Sequence, residues 1–336
     1  MWTVAHILWA PRDYGPMKTA GWTELHRHLE LSMRLSTLLE FAQASNLVSE
    51  STSLEAFKED LILVQPEADL IKVLEEMKLF PKVLDRPERL IRLAYEAVYD
   101  SYSEGTRKIE FRYSPTFIAE WGKLSWDEIL LSFEQGLKKA LVELPQMQAG
   151  LICIATREYG VDATDRTVEF FLKNRSRLIG LDLAGNEVDY PGKLFEKSFG
   201  KAKKAGARIT VHAGEAGGPD FIWQAIDLLG AERIGHGITC IEDPSLMKYL
   251  SEKRICMEMC PTSNWLTGGI PSFEKHPLPE VLRAEIPVCI NTDDPSIFGV
   301  TLIDEVNLCS TLMGLTKKEI DLCFENATRA SFLPLF

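Results

Sequence analysis

No run of about 18 uninterrupted apolar residues occurs in the 336-residue chain, so the sequence offers no membrane-spanning helix. The first stretch, Met1 to Tyr14, has apolar patches but no basic start, and Pro11, Arg12 and Asp13 interrupt it, which makes a poor secretory leader. Positive charge is scarce: 37 Lys+Arg against 49 Asp+Glu leave a net charge of −12. Nucleic acid and anionic membrane both need a basic face, so neither is an expected partner. A small nucleoside carries no phosphate and is not excluded. The seven cysteines include no CxxC pair, since Cys256 and Cys260 are four apart. They are expected to be buried free thiols in a reducing cytoplasm. There is no G-x-x-x-x-G-K and no strand-following G-x-G-x-x-G, which argues against nucleotide-phosphate chemistry. There is also no G-x-S-x-G elbow and no H-x-E with P-C-x-x-C, which removes serine hydrolases and the cytidine-deaminase zinc site.

What is present is ordinary globular composition, with 46% hydrophobic and 26% charged residues. The length allows two domains of about 150 residues, or a single (β/α)₈ barrel of about 250 or more. Short β-rich apolar runs alternate with longer amphipathic stretches. The runs are Thr23–Leu25, Lys108–Tyr113, Gly150–Ala155, Leu178–Leu183, Arg208–Val211, Arg233–Gly235, Ile255–Met259 and Val288–Asn291. Helical spacing follows at Trp126–Leu144, Ala163–Asn174 and Ile222–Leu229. Eight buried strands alternating with helices predict an α/β protein, a closed (β/α)₈ TIM barrel. The gap from His28 to Lys108 is too long for one βα loop. It is expected to form a helical lid over about residues 33–100, with helices Leu35–Ala44, Leu54–Leu63, Glu67–Leu79 and Arg86–Tyr99. Residues 1–22 form an N-terminal extension in this reading, Met17 is a candidate start, and residues 23–336 are one domain.

Five of these runs lead into unusual polar residues: His26-Arg27-His28, Asp182-Leu183-Ala184-Gly185, His212-Ala213-Gly214-Glu215, His236-Gly237, and Asn291-Thr292-Asp293-Asp294-Pro295. The C-terminal strand ends of a barrel open onto one face, where active sites lie. Four of the six histidines fall in this set. His26 and His28 are i, i+2 on an extended segment, so their rings share a side. With His212 and the carboxylate Asp293 they form a candidate site for one Zn²⁺. Zinc lowers the pKa of water from 15.7 to about 7. Glu215, three residues past a candidate ligand, is placed as a proton shuttle to substrate. His236 and Asp294 remain to align or deprotonate the attacking water. Side chains of adjacent aspartates diverge, so Asp293 is assigned to metal and Asp294 to substrate or water. His6 and His276 lie outside strand ends and are expected to serve surface or core.

The segments TELHRHLE, LDLAGNE, ITVHAGEAGGP, AERIGHG, CPTSN and NTDDP resemble the purine adenosine deaminases of the amidohydrolase superfamily. The resemblance runs in order along nearly the whole chain. It implies a barrel, one zinc, and hydrolysis of a 6-aminopurine to its 6-oxo product and ammonia. Position by position it implies His26, His28, His212 and Asp293 as zinc ligands and Glu215 as the donor to the ring nitrogen beside the amino-bearing carbon. It implies His236 as the residue that orients or deprotonates the attacking water. Asp294 is similar to the carboxylate that contacts that water and the imidazole edge of the purine. Gly185 resembles the glycine whose backbone N–H reaches the pyrimidine ring.

One departure bears on substrate. Many members read His-x-His-Leu-Asp-Gly, where the Asp binds the ribose 5′-hydroxyl; here the segment is His28-Leu29-Glu30-Leu31. Glu30 is one methylene longer, so it and His28 are expected on the substrate side with the ribose pocket altered. Adenosine and 2′-deoxyadenosine are the expected substrates; adenine or a 5′-modified adenosine-like nucleoside is the alternative, and a non-catalytic nucleoside-binding barrel a remote one. Other zinc hydrolases of the superfamily often use two metals bridged at strand 4 by a modified Lys or a Glu, and no Lys ends strand 4 here.

Overall fold

The computed structural model describes residues 21–67, 73, 77–121 and 124–334. Nearly all of the expected N-terminal extension, with His6 and Met17, lies outside them, as does most of the expected helix Glu67–Leu79. Among the described residues there are eight strands: β1 Trp22–His28, β2 Thr106–Tyr113, β3 Gln148–Thr156, β4 Gly180–Ala184, β5 Thr210–Ala213, β6 Arg233–His236, β7 Cys256–Met259 and β8 Val288–Ile290. They pair in order as two four-stranded sheets, β1 to β4 and β5 to β8, all parallel. Parallel bridges Leu181↔Ile209 and Arg27↔Asp293 join the two sheets at both seams. The expected (β/α)₈ barrel is therefore closed all the way round.

The helices carry the signals that make helices start. Ser125 with Glu128, Thr301 with Asp304 and Thr316 with Glu319 each form reciprocal capping boxes. Between β1 and β2 lie helices Leu35–Ala44, Leu54–Leu61, Leu79–Val83 and Pro87–Ser103. The expected helix Ile222–Leu229 differs. An α-helix covers Pro219–Gln224 and a π-turn, Ala225–Leu229, ends it before the left-handed Gly230. Strand 1 is longer than the apolar run Thr23–Leu25, because it continues through His26 and His28.

The apolar core fills the space between barrel and helices. Phe111 and Tyr113 of β2 point outward, and Tyr113 packs edge-on against Phe133 of helix Trp126–Glu143. Alternation then sends Glu110 and Arg112 inward. The barrel interior is thus ionic. Glu110 meets Arg233 at 2.8 Å, Arg233 meets Glu258 at 2.6 Å, and Arg112 meets both Glu258 at 2.7 Å and Asp182 at 2.8 Å. This chain of fully buried charges climbs the barrel axis to the histidines. Buried charges are tolerated only when paired and hydrogen-bonded, and here each carboxylate meets at least one guanidinium.

Candidate active site

Two strand ends give the site its floor. The β1 register shifts between Glu24 and Arg27, and Asn291 Oδ1 accepts the Leu25 and His26 N–H groups at the bulge. His28 N–H then bonds Asp293 O at 2.9 Å and Asp293 N–H bonds His26 O at 3.1 Å. The histidine strand and Asp293 are thus stitched together backbone to backbone. His236 and Asp293 both have left-handed φ, +59° and +63°, which is uncommon for residues with a side chain and gathers at functional sites.

Imidazole nitrogens converge here. His26 Nε2 and His28 Nε2 lie 3.2 and 3.3 Å from Asp293 Oδ1, and His28 Nε2 lies 3.3 Å from His212 Nε2. The donor atoms of His26, His212, His236 and Asp293 all fall within 4.8 Å of one another, and His28, Asp293 and Asp294 form a second group that shares Asp293. The residues expected to hold a metal span both groups. Glu258 Oε2 is 2.9 Å from His26 Nδ1, and Asp182 is 3.1 Å from His212 Nδ1. Both carboxylates put the ring proton on Nδ1 and leave the Nε2 lone pair facing the centre, as second-layer partners of metal-bound histidines do. His26 Nε2 is buried and makes no hydrogen bond. Burial opposes charge on His26, yet Asp293 and Glu258 raise its proton affinity, while the histidines hold Asp293 well below the usual carboxylate range against its own burial. Three imidazoles, one of them with the orphaned His26 Nε2, and one ionised carboxylate fit a divalent cation.

His236 shares the cluster but has a different proton. Leu278 N–H donates to His276 Nδ1, so His276 Nε2 carries the proton that bonds Asn264 Oδ1 at 3.1 Å. Asn264 Nδ2 then donates to His236 Nδ1 at 3.0 Å. Neutral His236 consequently keeps its proton on Nε2 and offers no lone pair to a metal. Burial holds it neutral, well below the usual histidine range. His276, expected in surface or core, is fully enclosed and pushed down to about 3 by burial.

His236 Nε2 lies 3.4 Å from Glu215 Oε2. Burial, then Asp293 and Glu187, raise Glu215 well above the usual carboxylate range, which favours its protonated form. Asp294 is also raised, by burial and by Asp293, and its Oδ1 is buried without a partner. These groups line a cavity of about 300 Å³ with His28, Glu30, Gly185, His212 and Asp293. Of the expected site residues, His26 alone lies behind that wall. Glu30 Oε1 accepts Ser114 N–H at 2.8 Å, and its Oε2 has no partner. Burial raises Glu30 to about 8, so it is a neutral acid with a proton to donate. Gly185 has φ +102°, and a Cβ there would overlap the Glu158 carboxylate.

The family profile described as adenosine deaminase matches residues 22–335. The chain belongs to the adenosine deaminase family. Among its relatives, the adenosine deaminases of Klebsiella pneumoniae and Serratia proteamaculans are 38% and 39% identical over 311 residues, each alignment covering 93% of both chains. Solved structures of the same fold include an adenine deaminase from Arthrobacter aurescens (TM-score 0.85, 25% identity, 94% of this chain and 95% of that one). A Burkholderia ambifaria amidohydrolase with bound Zn has TM-score 0.85 at 26% identity, covering 99% and 90%. An Arabidopsis protein, ADAL, complexed with GMP has TM-score 0.82 at 26% identity, covering 95% and 94%. The family assignment agrees with the order of the motifs along the chain.

Five residues of the site, Asp182, Glu258, Arg112, Asn264 and Glu187, received no role in the sequence reading, although Asp182 stood among its polar strand ends. A signal existed for three of them. Asp182, Glu258 and Arg112 are charged residues inside otherwise apolar strand runs. Asn264 and Glu187 fall in the segments CPTSN and LDLAGNE, but only the fold brings Asn264 to His236 and Glu187 to the loop after β5.

Proposed function

We propose that this chain hydrolyses adenosine and 2′-deoxyadenosine to inosine and deoxyinosine with release of ammonia, using one Zn²⁺ held by His26, His28, His212 and Asp293. The observation that carries this reading is the pairing of Glu215, whose protonated form burial favours, with neutral His236 beside a converging His/Asp donor set. Bound Zn²⁺ supplies an activated water at neutral pH, by lowering its pKa from 15.7 to about 7. Glu215 donates its proton to the ring nitrogen next to C6, which makes C6 electrophilic. His236, whose proton faces the cavity, orients the attacking water by donating to it. Asp294, in its carboxylate form, receives the proton that water loses as the C–O bond forms. Asp294 passes that proton to the amino group, the C–N bond breaks and ammonia leaves; the hydroxyl proton released as C6 becomes a carbonyl returns to Glu215. Gly185 presents backbone to the purine, and Glu30 reads the sugar. The segment between β1 and β2 is the lid, since Val73, Met77 and Lys78 line the cavity. All seven cysteines are buried free thiols, which suits a reducing, cytoplasmic setting. Among the described residues no helix is long and apolar enough to cross a membrane.

Glu30 supports a second reading, in which adenine or a 5′-modified adenosine is the better substrate. Both are tested by ultraviolet difference absorbance with zinc-loaded protein, comparing kcat/KM for adenosine, 2′-deoxyadenosine, adenine and 5′-modified adenosines. Adenosine should exceed adenine by about 10³ or more if Glu30 bonds the ribose, because a site built around a hydrogen bond rejects the analogue that lacks it. A preference for adenine or for a 5′-modified nucleoside selects the second reading. No turnover of any 6-aminopurine overturns both.

A further inference from the structure

The loop that follows β5 carries Glu215, and its backbone is held in an unusual way. Four consecutive N–H groups, of Gly214, Glu215, Ala216 and Gly217, all point at one side chain. Glu187 Oε2 accepts Gly214 N–H at 2.9 Å, and Oε1 accepts the N–H groups of Glu215, Ala216 and Gly217 at 2.9, 2.9 and 2.8 Å. Glu187 is buried, and it belongs to the loop after β4, the loop that also presents Gly185. That loop is itself folded on Asn186, whose Oδ1 accepts the Val188 and Asp189 N–H groups. From the opposite side, Thr239 Oγ1 donates to the carbonyls of Gly214 and Gly217 at 3.3 and 3.0 Å. Gly214 makes the turn possible: its φ is +71°, and a Cβ would meet Ile222 and Thr239 at 2.5 and 2.8 Å.

We propose that Glu187 is a positioning residue for the proposed deamination: by gathering the four N–H groups of residues 214–217 it fixes the loop that aims the Glu215 carboxyl at the purine ring. The inference rests on the reading of Glu215 as the proton donor. The carboxylate suits the task because both oxygens only accept, whereas all four backbone partners only donate. Glutamine in its place would turn an NH₂ toward at least one of those donors, and the loop would have to shift. A displacement of about 1 Å at a reacting group costs rate on the order of 10²-fold without any change in chemistry. Glu187 also links the two loops expected to read the purine, so Gly185 and Glu215 are set relative to one another by a single side chain.

A double-mutant cycle tests this on full-length, metal-loaded protein. Glu187→Gln should lower kcat for adenosine by about 10- to 100-fold while metal content and KM change little. In the Glu215→Gln background the same change should lower the residual kcat by less than about threefold, because its only route to the reaction is gone. Equal losses in both backgrounds, or a kcat within about threefold of wild type in the single variant, overturn the proposal. If Glu187→Gln is insoluble, Thr239→Val releases the loop from its other side and is read by the same cycle and the same outcomes. Hydrogen exchange supplies a readout that needs no substrate: amides 214–217 should exchange at least about tenfold faster in the variant than in wild type. Unchanged exchange overturns the clamp. Loss of all wild-type turnover would overturn the reading of function instead, so the two failures are distinguishable.

Discussion

Asp182→Asn is the sharpest probe of how the barrel interior serves the metal site. Asp182 accepts from His212 Nδ1 at 3.1–3.2 Å and from Arg112 Nη1 at 2.8 Å, and all three side chains are buried. Asparagine keeps one acceptor oxygen. It can serve His212 or Arg112, but its NH₂ must then face the other donor. The imidazole loses the charged partner that holds its proton on Nδ1, and Arg112 loses one of two carboxylates, the other being Glu258 at 2.7 Å. Loss of such a second-layer partner weakens metal binding by about 10–100-fold, or about 1.4–2.7 kcal/mol. Removing one member of a buried ion pair also destabilises the fold by about 3–5 kcal/mol, an upper figure here because Glu258 still faces the guanidinium. Zn²⁺ affinity would be read by competition with a coloured chelator, with circular dichroism to establish folding. Thr210→Val serves as the comparison, since Thr210 gives Glu258 one hydroxyl hydrogen bond of 3.0 Å while both arginines and His26 keep theirs, and its loss should weaken affinity by less than about threefold. A folded Asp182→Asn protein that binds Zn²⁺ within about twofold of wild type would refute the argument.

Asn264→Leu should lower kcat by about tenfold or more with metal content unchanged, because His236 would lose the partner that fixes its tautomer; an unaltered kcat would remove that relay from the account. Glu30→Ala should change kcat/KM for adenosine and for adenine by different factors, and an equal change would end its role at the ribose. Glu305→Gln tests a buried acid remote from the reacting groups. Burial raises Glu305 from 4.5 to about 8, so between those values the folded chain keeps a proton that the unfolded chain has released, and stability falls as pH rises. Glutamine mimics the protonated acid, so denaturant melts should show the variant gaining on wild type by about 2–4 kcal/mol between pH 5 and pH 8. A difference independent of pH would contradict the assignment.

The strand-end histidines and aspartates were legible because barrel geometry collects C-terminal strand ends on one face, whatever lies between them in the chain. The closed barrel followed from eight short runs spaced by helices. What stayed hidden depends on contacts that leave no local mark. Glu258 is 232 residues from His26, and its carboxylate in the run ICMEM reveals a departure from apolar patterning but not a partner. Glu187 bonds only backbone N–H groups, which every non-proline residue has, so its role leaves no trace in side-chain pattern. The π-turn after Gln224 obeys the same helical spacing as an α-helix and could not be told from one. The tautomer of His236 needed Asn264, His276 and Leu278 in place before it could be assigned.

The central claim is that Glu215 transfers the proton that makes C6 of a 6-aminopurine electrophilic. Steady-state deamination of adenosine by Glu215→Gln, with zinc content measured on the same sample, tests it most directly. The account predicts full zinc occupancy and a kcat lower by at least about 10², the scale of a general acid. A zinc-loaded variant that turns over adenosine at the wild-type rate would contradict it.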